Sequence, residues 1–280
     1  MALSIYLTSV LDVMVLSPNS VFVSLCDARY YPKALATLKG LRNKGQWEGD
    51  VVLICVDFDP PSKDLVELAV QVFRVNHIST DNLVAQLKVN PIRKAADNRH
   101  FEKLYQWDKI YAFHPFFRKW ERVIFLDAGL HCLDSVADLL DLPWKGRLLA
   151  PDDSDPYDNG NRFRTQMDLV ANPAATRRLM EDFSEDIFEE HYFLNCIFVY
   201  DTSLQSLVSM KDLETAMNRY PISMCNEMGI MNLLFTFRER VWSPFPQRTA
   251  TKYLFGWSEL NYREKPKWTE FCFLKYPVSL

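Results

Sequence analysis

Glycine is scarce in this chain, with 8 residues in 280 against 15 prolines. Loops are therefore expected to be rigid. The turn after the first apolar run, Cys26-Asp27-Ala28-Arg29-Tyr30-Tyr31, has no glycine at all. A sugar nucleotidyltransferase would normally carry a glycine-rich phosphate loop at that place, so its absence counts against one. No uninterrupted apolar run reaches the roughly 18 residues a membrane span needs, and no span is expected. The first twenty residues, MALSIYLTSVLDVMVLSPNS, lack a basic segment and carry Asp12 within their apolar run. They read as an extra strand or helix packed on the domain rather than a leader. The six cysteines form no CxxC pair and no zinc spacing, which fits buried, reduced thiols in a cytoplasmic protein. With a net charge of −4 and no basic stripe, neither nucleic acid nor an anionic membrane is an expected partner. Internal repeats and low-complexity segments are missing too.

What is present is a hydrophobic fraction of 48% and an aromatic fraction of 14%, enough for a large core. Strands are predicted at Ser20–Leu25, Val51–Val56 and Val72–Val75, with helices from Pro32 to Asn43 and over residues 63–71 between them. This alternation predicts right-handed βαβ units and a parallel sheet. Residues 76–100 read as a polar loop or short helix. Further strands are expected at Arg147–Ala150 and Phe193–Tyr200, and helices at Asp134–Leu142, Pro173–Phe188 and Glu227–Phe237. The turn-rich segment 154–164 suits a mobile lid or acceptor loop. The last 40 residues are rich in aromatics and proline and show no periodicity.

One stretch organises the rest: Phe101 to Leu133. Leu104, Trp107, Tyr111 and His114 recur at helical spacing, predicting an amphipathic helix. Arg122-Val-Ile-Phe-Leu-Asp127 is a short apolar run ending on a carboxylate, as a strand buried on both faces would be. Ligands of open α/β sheets sit beyond the carboxyl ends of such strands. Asp127, followed by Ala128 and Gly129, is thus placed to hold a cation or a polar ligand.

Six segments in order resemble the nucleotide-sugar-dependent glycosyltransferases of the GT-A fold, in particular the glycogenin-like family 8. They are the strand leading to Asp27, Tyr30 and Tyr31, the FEKLYQW helix with Lys103, and Phe125-Leu-Asp127-Ala-Gly129 in place of a D-x-D strand. Ala150-Pro-Asp152, Phe193-Leu-Asn-Cys-Ile-Phe-Val-Tyr200 and Glu227-Met-Gly-Ile-Met-Asn232 follow, with a faint echo of the late H-x-x-G-x-x-K-P-W motif at Glu259 to Pro266. The resemblance also extends to the soluble enzymes that large DNA viruses of algae (chloroviruses) encode for capsid glycans, which would put the chain in the host cytoplasm.

The resemblance implies a single α/β GT-A domain over residues 1–280, with a Rossmann-like, mostly parallel central sheet and helices on both faces. Residues 20–133 would form the nucleotide-sugar half and 134–280 the acceptor half. It implies a UDP-sugar donor, UDP-glucose or UDP-xylose, and a glycan or glycoprotein acceptor. Asp27, Tyr30 and Tyr31 would meet the nucleoside, and Lys103, Asp127 and Gly129 the diphosphate region. Mn²⁺ or Mg²⁺ would sit on Asp127 and Glu259, with His131 as a third donor. The second acid of D-x-D is Gly129 here, so one ligand of the family pattern is missing. Departure of a diphosphate builds negative charge that a cation must offset. Inversion would also need a base to take the acceptor proton, for which Glu227, Asp152 and Asp153 are the candidates; retention would not. Tyr253, Trp257, Tyr262 and Trp268 are further rings for stacking on base or sugar. A degenerate GT-A domain that binds carbohydrate or acts as a scaffold is the non-enzymatic alternative.

Overall fold

The computed structural model describes residues 19–93, 98–153, 160–246, 248–250, 252–258 and 267–275. Strands β1 (Ser20–Cys26), β2 (Asp50–Val56), β3 (Gln71–Val75) and β4 (Arg122–Asp127) form where the apolar runs place them. Val, Ile and Phe dominate these runs and pack well on a pleated surface. Their side chains alternate between two cores. Val21, Val23, Val52, Ile54, Val123 and Phe125 enter one, while Phe22, Val51, Leu53, Ile124 and Leu126 enter the other. The sheet is therefore covered on both faces.

After these come β5 (Leu130–Cys132), β6 (Leu148–Ala150), β7 (Ile197–Asp201), β8 (Trp242–Pro244), β9 (Tyr253–Trp257) and β10 (Phe271–Lys275). Seven strands share one sheet in the order β3-β2-β1-β4-β7-β6-β8. β1 is parallel to β2 and β4, and β2 to β3; only β7 runs against its neighbours, β4 and β6. Chain order reverses between β1 and β4, with Leu25 opposite Asp127. A crevice opens at such a switch point beyond the strand ends.

A second sheet, β5-β10-β9, lies at that crevice. β10 pairs antiparallel with β5, setting Lys275 opposite Leu130, three residues past Asp127. Its Trp257 partner comes from the parallel neighbour β9. The C-terminal region without periodicity thus supplies two short strands and one wall of the site.

Four differences from the sequence expectations have local causes. Leu104–Phe113 is a 3-10 helix, and Leu104, Trp107, Ile110 and Phe113 repeat every third residue, the period of that helix. The helix expected over Pro173–Phe188 stops at Asp182; Ser184 then accepts the Asp186 N–H and opens a separate 3-10 turn, Glu185–Glu189. The Glu227–Phe237 helix divides into an α-helix, Glu227–Asn232, and a π-helical segment, Leu233–Arg238. Helix Met210–Arg219, not anticipated, starts on a capping box between Ser209 and Asp212. The polar segment 76–100 contains a helix, Asp81–Val89. The N-terminal segment before residue 19, residues 154–159 of the expected lid, Glu259, Tyr262, Lys265-Pro266 and the Trp268 side chain lie outside the described residues. Among the described residues no helix is long and apolar enough to cross a membrane.

Candidate active site

A cavity of about 560 Å³ opens beyond the ends of β1 and β4. Asp27, Tyr30, Lys103, Asp127, Gly129 and His131, all expected at the site, line it. Tyr31 does not: its hydroxyl donates to the Pro61 carbonyl at 3.3 Å and its ring packs edge-on against Phe58. Consecutive residues entering a helix cannot present both rings to one side, and Tyr30 is the one that faces the cavity.

At one end of the cavity the Tyr30 and Tyr105 rings lie 5.5 Å apart, their hydroxyls 3.0 Å from each other. The Arg29 guanidinium covers both rings at 4.9 Å. Asp27 accepts the Tyr30 N–H at 2.8 Å, which fixes the turn into helix Tyr31–Asn43. This end offers ring faces and polar edges.

At the other end sits Asp127. One carboxylate oxygen receives the Lys109 ammonium at 2.9 Å and the other the Lys275 ammonium at 2.6 Å. Lys109 also reaches Glu227 Oε1 at 3.2 Å and the Asn195 side-chain and backbone oxygens at 3.1 and 3.2 Å. Asn195 in turn donates to Glu227 Oε1 at 3.0 Å, and Glu227 Oε2 is buried with no hydrogen-bond partner. Burial alone would raise the Asp127 pKa, but the two ammonium groups outweigh it and hold the carboxyl below the usual range. For Glu227, burial prevails over Lys109 and the pKa is raised. Both lysines keep raised values, because their carboxylate partners outweigh the burial that opposes their charge.

Glu227 is held rigidly. Asn226 before it adopts a φ of 49°, uncommon for a residue with a side chain, while its amide donates to Gln106 Oε1 at 2.8 Å and to the Lys103 and Arg99 carbonyls. The helix that carries Glu227 is thereby tied to the segment that carries Lys109. Lys103 itself lines the cavity, but the lysine of this segment in contact with Asp127 is Lys109, six residues further on.

Glu227, Asp152 and Asp153 are not among the cavity-lining residues. Asp152 pairs with His191 Nδ1 at 2.6 Å, and Asp153 accepts from the Tyr192 hydroxyl and from Asn161 at 2.9 Å. Burial raises the Asp153 pKa despite these donors.

Among the described residues the donor set around Asp127 fits a divalent cation poorly. Both Asp127 oxygens carry an ammonium group, and ammonium cannot ligate a metal. Position 129 has a left-handed φ of 88°, which suits glycine and strains any residue with a carboxylate. Among the described residues no three His, Cys, Asp or Glu side chains are grouped to share an ion. Glu259, the expected second ligand, lies outside those residues.

Lys109, Lys275, Asn195, Tyr105 and Arg29 were not picked out from sequence. Lys109 stood within the FEKLYQWDKIYAF segment, six residues past the lysine of the matched motif. Lys275 carried no local signal, since the β5–β10 pairing alone brings it to Asp127.

The layered α/β arrangement, with its mostly parallel seven-stranded sheet, is the GT-A fold of glycosyltransferases. The galactosyltransferase LgtC, solved as the active-site mutant Q189E, is similar with a TM-score of 0.59 and 12% identity over 92% of this chain and 88% of LgtC. LgtC with donor and acceptor sugar analogs gives 0.57, again at 12% identity, over 92% of this chain and 87% of that one. The glycosyltransferase GlyE of Streptococcus pneumoniae TIGR4 matches with a TM-score of 0.50 at 13% identity over 82% of this chain, which spans 46% of GlyE. WbbM, a bifunctional glycosyltransferase, matches at 0.55 and 13% over 95% of this chain, which spans 47% of WbbM. No family model and no curated protein matches the sequence. The likeness is one of fold, and it carries the algal-virus resemblance no further.

Proposed function

We propose that the chain transfers a sugar from a nucleoside diphosphate sugar to an acceptor hydroxyl of a glycan or glycoprotein. The carrying observation is the cavity at the switch point, with a tyrosine pair at one end and a lysine-clamped carboxylate at the other. Five basic side chains line it, Lys33, Arg99, Lys103, Lys109 and Lys275, against the acids Asp27, Asp108 and Asp127. Asp108 spends its charge on His77 and the Ile78 N–H, at 2.6 and 2.8 Å. The cavity is thus cationic in a chain whose net charge is −4, as a diphosphate site requires.

The base stacks on Tyr30, with Asp27 at its polar edge, and the diphosphate lies toward Lys103 and the Asp127 cluster. The bond between the anomeric carbon and the β-phosphate oxygen breaks. The acceptor oxygen takes its place, and the lysines offset the charge that grows on the leaving diphosphate. Asp127 is the carboxylate at the cavity for the acceptor proton or the anomeric centre, while Glu227, with its raised pKa, sits behind Lys109 and outside the cavity-lining residues. Asp152 and Asp153 have their own partners and take no part in this step. Uridine as the base and glucose or xylose as the sugar follow from the sequence resemblance, and the six free cysteines suit a reducing, cytoplasmic setting. Residues 1–280 act as one catalytic domain.

A screen for hydrolysis or transfer over a panel of UDP- and GDP-sugars tests this, with Asp127→Asn run beside the wild type. Release of diphosphate from at least one donor, abolished by Asp127→Asn, is the expected result. Tight UDP binding with no turnover on any donor would instead favour the scaffold alternative, for which the fully occupied Asp127 carboxylate is the supporting observation.

A further inference from the structure

A donor diphosphate needs a counter-charge, and the chain has one that requires no donor set. We propose that the Lys275 ammonium takes the place of the divalent cation, so that the chain binds nucleoside diphosphates without metal. This rests on the nucleotide-sugar function proposed above and specifies how its site works.

Lys109 and Lys275 differ in how their protons are used. The three protons of Lys109 are consumed by Asp127, Glu227 and Asn195. Among the described residues the Lys275 ammonium makes one hydrogen bond, to Asp127 Oδ2, and the residue lines the cavity. An ammonium has three donors in all, so two remain for phosphate oxygens. Lys109 is accordingly a positioning residue that holds Asp127 in place, and Lys275 is the group that meets the ligand.

The surroundings fix Lys275 in that role. The register of β10 against β5 and β9 sets its backbone. The Trp257 ring lies 5.5 Å from its ammonium and supplies a face that favours a cation without ligating one. On the far side, the aliphatic chain of Lys33 approaches within 3.5 Å of where a Cβ on residue 129 would be, so that a lysine stem fills the space beside Gly129. A lysine is a compact point charge that binds phosphate without demanding a coordination geometry. A site that has lost its second acid can hold a diphosphate in this way and could not hold a metal well.

Calorimetric titration of the chain with UDP and with GDP, in excess EDTA and again in Mn²⁺, is the test. The expected result is binding of at least one of them with the same Kd in both buffers. Lys275→Met should weaken that binding about 10- to 100-fold, the loss expected for a hydrogen bond to a charged group, and Lys275→Arg should restore most of it. Binding that appears only with Mn²⁺ would overturn the proposal and leave the transferase function standing. So would a folded Lys275→Met protein with wild-type affinity in EDTA. Absence of binding in both buffers would remove the transferase function, and the proposal with it. Should Lys275→Met not fold, the wild-type comparison between the two buffers still decides.

Discussion

Asp127 closes β4, and Asp152 and Asp153 follow the end of β6; in sequence the two places look alike, a buried strand running into acid. In the structure their electrostatics are opposed. Asp127 is met by two ammonium groups and its pKa is lowered, whereas burial raises that of Asp153 although neutral donors surround it. Residue type therefore says little about what a strand-end carboxylate does; the sign of its neighbours decides it. Full charges arrive at Asp127 from the 104–113 helix and from β10. At Asp153 a tyrosine hydroxyl and an asparagine amide donate, neither of them carrying a formal charge. The first environment stores a charge for use, and the second suppresses one.

The sharpest way to break this contrast is to take the cation from the Asp127 side. Lys109→Met leaves Asp127 with one partner and Glu227 with only Asn195, inside a buried cluster. Breaking a buried ion pair by removing one member costs about 3–5 kcal/mol, and a loss of that size is expected in urea or thermal unfolding. In a Glu227→Gln background the same change should cost clearly less, because the carboxylate left without a cation is gone. Equal costs in both backgrounds would mean the lysine acts by packing alone.

The mirror experiment on the other side is smaller. Tyr192→Phe removes the hydroxyl that donates to Asp153 but no formal charge, and Asn161 still donates. About 1–3 kcal/mol is the expected cost of leaving a buried acceptor partly unsatisfied. A penalty as large as that of Lys109→Met would show that the two carboxylates are held by forces of the same strength, and the contrast would fall.

The sequence carried most of the framework and little of this difference. β4 was legible to the residue because its apolar run ends abruptly at Asp127, and the helix Tyr31–Asn43 was legible from Pro32 and the flanking strands. Tyr30, Asp27 and Lys103 were expected at the site from the family resemblance, and each lines the cavity. Lys109 was missed because a period near 3.6 was read where Leu104, Trp107, Ile110 and Phe113 repeat every third residue, and the helix face shifts accordingly. Lys275 was beyond local reading. Its partner Asp127 lies 148 residues away, and only strand pairing in the small sheet joins them. Asp152 and Asp153 were expected in the site on resemblance alone, and no local pattern could show that His191 and Tyr192 would claim them.

The subtlest consequence of the contrast is a pair of pH dependences with opposite slopes. An unfolded aspartate titrates near 3.9. Asp127 has a folded value below that, so its contribution to stability is present above about pH 4 and is lost as pH falls through the lowered value. Asp153 has a folded value above it, so its contribution is present below about pH 4 and is lost as pH rises through the raised value. Relative to wild type, Asp127→Asn should therefore become more costly as the pH is raised from 3 toward 6, and Asp153→Asn less costly. Unfolding free energies of the two variants across that interval check the prediction. The slopes are modest, since each reflects one proton, but their signs are independent of packing losses that are the same at every pH. Parallel slopes would mean that both strand ends carry the same kind of carboxylate, whatever their neighbours.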